Sequence, residues 1–315
     1  MVMEFNSQNE SIMKWPNLKH LNYLVVLHQE QHFHRAAEKC HVTQSTLSTA
    51  IQNLEEHFGA QLLEREHKSF VFSAYGLSIV DRSKRLLNEA RELMDFAQTA
   101  GDWQKGELKL GVIPTIAPFL FEALIKSVNR VFPDLNLHLQ EDTTDHLLAQ
   151  LHQGELDLLI LALPIETPGC KQLVIGHDPF HLVTHRSSLA DLHIPLDVSA
   201  LPKNSIFLLQ QEHCMTEHAV SACGLKHSEQ VNSLAVSSLH TLVQLANAKL
   251  GFTFIPELAL QQDILAKSNL VALPAEDNAF REIGLVWRSG TTRVQLFRSL
   301  AECLAPLMPI SITNP

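Results

Sequence analysis

The sequence predicts an α/β protein with an all-α N-terminal part, and three stretches of the chain carry that prediction. From Leu18 to Phe72 apolar residues recur at helical spacing, with only Gly59 breaking the pattern. A longer, heptad-like pattern runs from about Ala74 to Thr99. From about Leu108 onward, strand-like and helical stretches alternate, the order typical of a sheet covered by helices. The 315 residues are enough for two or three domains.

The composition excludes several classes of protein. Hydrophobic residues make up 45% and charged residues 18% of the chain, which is typical of a globular protein and not of a disordered one. The longest apolar run, Leu158 to Ile165, is far shorter than the roughly 20 residues that span a bilayer. The opening residues show no secretory signal. Five cysteines are too few and too dispersed for a disulfide scaffold. We therefore expect a cytoplasmic protein with no membrane partner.

The charge balance limits how the chain could bind nucleic acid or metal. A net charge of −10 argues against a protein that coats nucleic acid by bulk electrostatics, although a small module could still read DNA with a few groups. Among the 18 histidines, the pairs His28/His32 and His181/His185 have a spacing that could suit a metal. No Glu or Cys completes either pair, so we expect no metal site and no cofactor.

The segment from Phe33 to Leu54 has the pattern of a helix-turn-helix. Val42 falls in the expected turn, and Thr43 is a residue type that caps the start of a helix. Small or apolar residues stand where the two helices would cross and enter the core: Ala36, Ala37, Leu47 and Ile51. Residues 1 to about 15 are polar and aperiodic, which predicts a disordered tail.

The stretch after this segment predicts one long helix that pairs with a copy of itself. Its apolar positions lie close to a heptad seam and are Ile79, Val80, Leu86, Leu87, Ala90, Leu93, Met94 and Ala97. A helix of this length between domains commonly pairs with a twin. Such a dimer, or a tetramer built from it, would present two DNA-binding heads to a symmetric site.

Two tracts closely resemble the DNA-binding domain of LysR-type transcriptional regulators. They are HVTQSTLSTAIQNLEEHFGAQLLERE and SFVFSAYG, and they keep the family's Leu54-Glu55 pair, its strand entry at 62–65, its wing near 67–70 and its Ser73-x-x-Gly76 element. The resemblance implies a winged helix-turn-helix over residues 16–73 and a linker or dimerisation helix over 74–102. It also implies a regulatory domain over 103–315.

The same resemblance assigns DNA-contacting residues. The start of the recognition helix would enter the major groove while wing cations hold phosphates. The residues implied are Thr43, Gln44, Ser45, Thr46, Ser48, Arg65 and Lys68. The family's basic residues before the Leu-Glu pair are replaced here by Gln52 and Asn53, and residues 1–100 carry a net charge of 10 − 12 = −2. Oligomer avidity would therefore have to supply part of the DNA affinity.

The regulatory part resembles the two-lobed type II periplasmic-binding-protein fold that this family uses as a sensor. Lobe I would comprise residues 103–176 and 283–315, and lobe II residues 177–282. A ligand cleft is expected between the lobes at helix N-termini such as the one opened by Pro114-Thr115.

One segment is similar to the peroxide-sensing members of the family. QQEHCMTEHAVSAC (Gln210 to Cys223) places His213 before one cysteine and a second cysteine nine residues later, and GVIPTIAPFLF, TTDHLLAQL and REIGLVWR extend the similarity. The resemblance implies that hydrogen peroxide oxidises Cys214 and that Cys223 resolves it as an intramolecular disulfide. It assigns peroxide binding or thiolate stabilisation to Thr115, Thr144, His213 and Arg281.

Peroxide chemistry sets conditions on these residues. A thiolate, and not a thiol, attacks peroxide, so the pKa of Cys214 must be lowered. Glu212 and Ser233 depart from the family pattern, and a carboxylate beside the thiol would raise its pKa. If residues 215–223 are helical, the two cysteine Cα atoms lie roughly 13 Å apart, whereas a disulfide needs about 7 Å or less. Oxidation would then require the segment to unwind.

The sequence is compatible with one other regulatory function and disfavours an enzymatic one. A LysR-type regulator could instead bind a small organic effector between its lobes, with incidental cysteines. An enzyme with a Cys-His nucleophile is disfavoured, because no orienting Asn or Asp is identifiable and the helix-turn-helix would be unused. We therefore expect a non-enzymatic regulator whose partners are promoter DNA, a second copy of itself and RNA polymerase.

Overall fold

The computed structural model describes residues 15–66, 69–98, 102–191, 198–210, 219, 229–275 and 279–311. The chain divides into two compact units, the first ending at Met94 and the second beginning at Asp95. None of the described helices is both long enough and apolar enough to cross a membrane.

The described part of the first unit is a bundle of three helices followed by a β-hairpin and most of a long helix, whose last residues belong to the second unit. Its elements are α1 (Leu18–Glu30), α2 (Phe33–Lys39), α3 (Gln44–Phe58), β1 (Leu63–Glu66), β2 (Ser69–Phe72) and α4 (Ala74–Gln98). Ala36 is fully buried and Ala37 nearly so, as a close crossing of two helices requires. Leu47 and Ile51 are completely buried and anchor α3 in the same core.

The helical pattern that runs on to Phe72 is wrong beyond Phe58. Helix α3 stops at Gly59, whose left-handed backbone (φ 64°) ends the helix and lets its N–H reach the last turn. The following residues form an antiparallel hairpin in which Leu63 lies opposite Phe72. The family resemblance placed a strand entry at 62–65, where β1 begins, and a wing near 67–70, of which residues 67 and 68 lie outside the described residues.

The apolar residues of α4, which the sequence pattern assigned to one seam, differ in their burial. Val80 is buried and Leu87 is partly buried, and both pack on the core of the first unit. Leu86 and Leu93 are 45% and 67% exposed. The helix therefore has one apolar face used inside the unit and a second apolar face open to solvent.

In the second unit strands and helices alternate from Gly106 to Leu163, as predicted, and beyond Leu163 some described strands follow one another directly. Its elements are β3 (Gly106–Val112), α5 (Ala117–Val131), β4 (Leu135–Glu141), α6 (Thr144–Gln153), β5 (Leu158–Leu163), β6 (Cys170–His185), β7 (Ile206–Leu209), β8 (Val231–Val236), α7 (Leu239–Asn247), β9 (Phe252–Pro256), α8 (Glu257–Leu260), β10 (Leu270–Pro274), β11 (Phe280–Arg288), α9 (Val294–Leu304) and β12 (Ile310–Ser311).

The strands of this unit form two sheet halves that share β6. In the described residues the strand order is β4-β3-β5-β11-β6-β9-β7-β8, with β10 and β12 also pairing with β6. Strands β3, β4 and β5 are parallel in one half, and β7, β8 and β9 are parallel in the other. Every residue of β5 is buried, as expected for a central strand covered on both faces.

The long strand β6 connects the two halves and pairs with the antiparallel strand β11 in the first of them. Gly176 lies opposite Ile283, and the register of the pair shifts between Ile283 and Gly284. Strand β6 passes from one half to the other between Pro179, which pairs with β11, and Phe180, which pairs with β9. This fold confirms the predicted class, a helix-turn-helix part followed by a two-lobed α/β part.

Candidate functional site

The first candidate site is the start of helix α3. Thr43 has extended backbone angles, and its hydroxyl accepts a hydrogen bond from the Thr46 N–H at 3.1 Å, which is the predicted N-cap. The same oxygen lies 2.9 Å from the Ser45 hydroxyl and 2.7 Å from the Thr46 hydroxyl. These three side chains therefore form one hydroxyl cluster at the helix N-terminus.

The residues predicted to face DNA lie together on this turn. Gln44, Ser45 and Thr46 are exposed, and Ser48 is half-exposed. Gln44 has no hydrogen-bond partner among the described residues, so its amide is available to a ligand. The buried Leu47 between them points the opposite way and fixes the helix.

The hairpin is attached to α3 by Glu55, a role that sequence reasoning missed. Its carboxylate accepts hydrogen bonds from the backbone N–H groups of Leu62 and Leu63, at 2.8 and 3.1 Å. Arg65 lies in strand β1 opposite Phe70, whereas Lys68 lies outside the described residues. The Leu-Glu pair at positions 54 and 55 was the available signal, since Leu54 is buried and Glu55 binds the strand beside it.

The Ser73-x-x-Gly76 element joins the hairpin to α4. The Ser73 hydroxyl donates to the Gln61 carbonyl at 2.8 Å and accepts from the Gly76 N–H at 2.9 Å. A Cβ atom on Gly76 would lie 2.1 Å from the backbone oxygen of Leu62. The serine caps the helix, and the glycine permits the close approach of helix and hairpin.

The second candidate site surrounds Arg281, whose side chain is completely buried. Its Nη1 donates to the Thr115 hydroxyl at 2.7 Å, and its Nη2 donates to the Thr115 carbonyl at 3.1 Å. Its Nε and Nη2 both donate to Asp178 Oδ2, at 3.0 and 2.9 Å. The structure thus brings together two of the predicted sensor residues, which are 166 positions apart in the chain.

Asp178 completes this site and was missed from the sequence. It lies opposite Arg281 in the β6–β11 pair, and its Oδ1 accepts from the Leu258 N–H at 2.9 Å. Burial raises the pKa of its carboxyl, and the Arg281 guanidinium opposes that rise. An acidic residue within an apolar strand, followed by Pro179, was the only signal that a buried partner was required.

Of the other predicted sensor residues, only Thr144 lies within the described part of the chain. Thr144 is buried as the first residue of α6. Cys214, Cys223 and His213 lie outside the described residues, as does Glu212.

Two family models cover almost all of the described chain. A model described as bacterial regulatory helix-turn-helix protein, lysR family, matches residues 18–77. A model described as LysR substrate binding domain matches residues 102–309. The chain belongs to the LysR family of transcriptional regulators.

Curated relatives in the LysR family are transcriptional regulators that match over nearly their full length. EstR of Acinetobacter baylyi is 35% identical over 290 residues, which cover 92% of this chain and 96% of EstR. The dual regulator OxyR of Escherichia coli K12 is 32% identical over 293 residues, which cover 93% of this chain and 96% of OxyR.

Solved structures give the same assignment. Full-length OxyR of Pseudomonas aeruginosa, as a Cys-to-Asp variant, is 28% identical with a TM-score of 0.77, and the match covers 96% of this chain and 99% of that one. The reduced regulatory domain of OxyR2 from Vibrio vulnificus is 49% identical with a TM-score of 0.63, covering 65% of this chain and 97% of that one. The similarity to OxyR inferred from the sequence is thereby confirmed.

Two described histidines of this LysR-family chain, His181 and His177, have carboxylate partners. His181 Nε2 lies 2.6 Å from Glu257, and His177 Nε2 lies 3.8 Å from Glu282. His185 is hydrogen-bonded to Ser187 at 2.7 Å. Within the described ranges no group of three or more His, Cys, Asp or Glu side chains could hold a metal ion.

Three further cysteines of the chain are free thiols. Cys40, Cys170 and Cys303 are half-buried, and not fully buried as small core residues would be. Burial raises the pKa of the Cys40 and Cys170 thiols, which disfavours their reactive thiolate form. Cys303 Sγ lies 3.2 Å from the Ser127 hydroxyl.

Proposed function

We propose that this LysR-family regulator senses hydrogen peroxide through a reversible Cys214–Cys223 thiol–disulfide switch that rearranges the oligomer on DNA and activates antioxidant genes. The contact between Arg281 and Thr115 carries the proposal. Two residues that the resemblance assigns to peroxide lie within 2.7 Å of each other in a buried polar site. Relatives named as activators of hydrogen peroxide-inducible genes support the same function.

The proposed chemistry converts two thiols and one peroxide into a disulfide and two waters. The Cys214 thiolate attacks one peroxide oxygen, the O–O bond breaks, and the leaving hydroxide takes up a proton to form water. Cys214 is then a sulfenic acid. The Cys223 sulfur attacks the Cys214 sulfur, the S–O bond breaks, and the hydroxyl leaves as a second water. Thr115, Thr144, His213 and Arg281 would bind peroxide or stabilise the thiolate.

DNA reading is proposed for the first turn of α3 and for the wing. Thr43, Gln44, Ser45, Thr46 and Ser48 would contact base edges or backbone, and Arg65 and Lys68 would contact phosphates. Gln44 is the strongest candidate for base reading because its exposed amide can pair with adenine N6 and N7.

The DNA proposal is tested by comparing two substitutions. Lys68→Ala should weaken binding to all sequences alike and lower the salt slope by about one per contacting subunit. Gln44→Ala should relax discrimination at one base position, at a cost of roughly 1–3 kcal/mol there. Fluorescence anisotropy with a set of single-base operator variants measures both. Equal, sequence-blind losses in the two variants would contradict the assignment of the recognition helix.

Self-association and location follow from the same proposal. The exposed apolar face of α4 would pair with a second copy, giving a homodimer or homotetramer that binds promoter DNA and contacts RNA polymerase. A regulator that acts on promoter DNA in this way works in the cytoplasm.

The sensor proposal is tested by mass and free-thiol count before and after stoichiometric peroxide. The wild type should lose two thiols and two hydrogens per chain, with Cys214 linked to Cys223. Cys214→Ser should abolish the peroxide-dependent change in DNA footprint and keep binding of the reduced state, whereas Cys170→Ser, the matched control, should respond like the wild type. In Cys223→Ser a sulfenic-acid trap should label Cys214. A disulfide from Cys214 to Cys170 or to another chain, with Cys223 free, would refute the mechanism.

A second candidate function is kept because EstR, named as an HTH-type transcriptional regulator, is 35% identical to this chain and the E. coli OxyR 32%. Here a small organic effector would bind between the lobes, and the cysteines would be incidental. Under this alternative, peroxide leaves all five thiols titratable while a metabolite changes the DNA footprint.

A further inference from the structure

Helix α3 carries no lysine or arginine over its whole length. Its ionisable side chains all lie in the last turn, at Glu55, Glu56 and His57. Residues 44–54 can therefore contact DNA only through neutral hydrogen-bonding groups, and not through cations that neutralise phosphates. The longest polar side chains in this neutral part of the helix are those of Gln44 and Gln52.

The burial of α3 defines which of its side chains face outward. The core holds one side of the helix, through Leu47, Ala50, Ile51 and Leu54. Outside that buried side, Gln44, Ser48 and Gln52 follow one another at i, i+4 and i+8, so they form one ridge along the helix. Gln44 and Gln52 are exposed, and Ser48 is half-exposed.

The Gln52 side chain is available to a ligand. Like that of Gln44, its amide has no hydrogen-bond partner among the described residues. One turn further along the same ridge stands Glu56, which is also exposed. A carboxylate repels phosphate groups, so the part of the ridge that suits DNA begins at Gln44 and ends at Gln52.

This ridge matches the dimensions of the major groove. Two residues eight positions apart lie about 12 Å apart along a helix, at ~1.5 Å rise per residue. At about 3.4 Å per base pair, that distance spans about three to four base pairs of a groove that admits a helix. A glutamine amide can form two hydrogen bonds with adenine N6 and N7. Each end of the ridge therefore carries a group that distinguishes adenine from the other bases.

We propose that Gln52 is a second specificity-determining residue, which reads an adenine about three to four base pairs from the base that Gln44 reads. This inference rests on the proposed function, in which the first turn of α3 reads DNA, and extends base reading beyond that turn. The helix then lies along the groove and does not enter it by its tip alone. Because Gln52 is neutral, it contributes sequence discrimination and not salt dependence.

The test sorts a random-sequence duplex library by binding to the full chain, and sequencing of the bound and free fractions gives the base preference at each position. In Gln52→Ala the adenine preference should fall about five- to hundredfold at one position per bound subunit. Gln44→Ala should lose the preference at a second position, about three to four base pairs away. Because Gln52 is exposed and alanine favours a helix, the Gln52→Ala variant keeps its fold.

Asn53→Ala is the matched control. Asn53 is an exposed amide on the same helix, but nine residues at about 100° each place it on the side opposite Gln44. This variant should keep every base preference of the wild type. The proposal is overturned if Gln52→Ala keeps every preference or weakens binding to all sequences alike. It is also overturned if Asn53→Ala erases the preference assigned to Gln52.

Failure of the inference is distinguishable from failure of the proposed function. If Gln44→Ala loses a base preference and Gln52→Ala does not, the first turn of α3 reads DNA and the role of Gln52 is refuted. If Gln52→Ala alone loses a preference, the role of Gln52 stands and that of Gln44 is refuted. If neither variant loses a preference that the wild type has, base reading by α3 is refuted as a whole.

Discussion

At the scale of single residues, partners decide what each polar side chain can do. Thr43, Ser45 and Thr46 share hydroxyl hydrogen bonds at the start of α3, so DNA contacts by the last two would require those bonds to be exchanged. Gln44 has no such competition among the described residues. Specific reading by Gln44 therefore costs the least reorganisation of the protein.

His28 provides a pH-dependent test at this scale. It packs edge-on against Phe72 at 5.1 Å between ring centroids, and burial, together with the positive charge of Lys84, lowers its pKa, while Asp81 opposes the change. When folding lowers the pKa of a histidine, its contribution to stability is fully present at pH values above the pKa of the unfolded state. That contribution is lost as the pH falls through the lower pKa of the folded state.

The urea midpoint of the wild type should therefore fall between about pH 7.5 and about pH 5.5. In His28→Gln the fall should be smaller, because the titrating group is gone. The matched control is His57→Gln, which removes an exposed histidine of the same unit. The urea midpoint of this variant should fall with decreasing pH as much as that of the wild type. An equal fall of the urea midpoint with pH in all three proteins would contradict the contribution of His28 to the pH dependence of stability.

At the scale of elements, the junction of hairpin and long helix depends on two contacts. Glu55 binds the start of β1, and Ser73 and Gly76 bring the first turn of α4 onto Leu62. The wing is therefore held at both ends by elements that are themselves anchored in the core. This arrangement would keep the predicted wing cations in a fixed position relative to α3.

Gly76→Ala tests this junction. Its Cβ would lie 2.1 Å from the Leu62 carbonyl oxygen, so the backbone must shift, at a cost of about 1–3 kcal/mol. We expect a lower urea midpoint for the first unit and weaker DNA binding. Gly290→Ala is the control, because a Cβ there meets nothing within 4 Å and should change neither property. If Gly76→Ala were as stable as the wild type, the close approach of helix α4 to the Leu62 carbonyl would be refuted.

At the scale of the whole molecule, the exposed face of α4 predicts self-association. With about 100° per residue, Leu86 and Leu93 share one side of the helix, and Leu77 lies on the opposite side. Leu93→Gln should raise the dimer dissociation constant by at least about tenfold, since burying one leucine contributes roughly 1.5–3 kcal/mol.

Sedimentation over a concentration range measures that change. Leu77→Gln is the matched control, because Leu77 is also exposed, at 43%, and should have little effect on the dissociation constant. Equal weakening by both substitutions would place the contact elsewhere than on the Leu86–Leu93 side.

The sequence by itself determined the two-part architecture, the order of strands and helices, and the family. Each of these depends on local pattern: helical spacing around Leu47 and Ile51, a cap at Thr43, and apolar runs such as β5. The resemblance also assigned a sensor role to Thr115 and Arg281; that role stays a prediction, and the structure joins the two residues by a hydrogen bond. Helical periodicity failed after Phe58, where a left-handed glycine and a hairpin interrupt an apolar pattern that continues in the sequence.

Only the tertiary structure decided which distant groups meet. The partnership of Asp178 with Arg281 spans 103 residues and arises from the pairing of β6 with β11, which no local pattern encodes. The sequence likewise did not predict which apolar residues of α4 are buried. Leu86 and Leu87 are adjacent and both apolar, yet Leu87 packs on the core whereas Leu86 is exposed. Whether a charged side chain is buried or a leucine is exposed depends on which other residues surround it, and only the fold determines those neighbours.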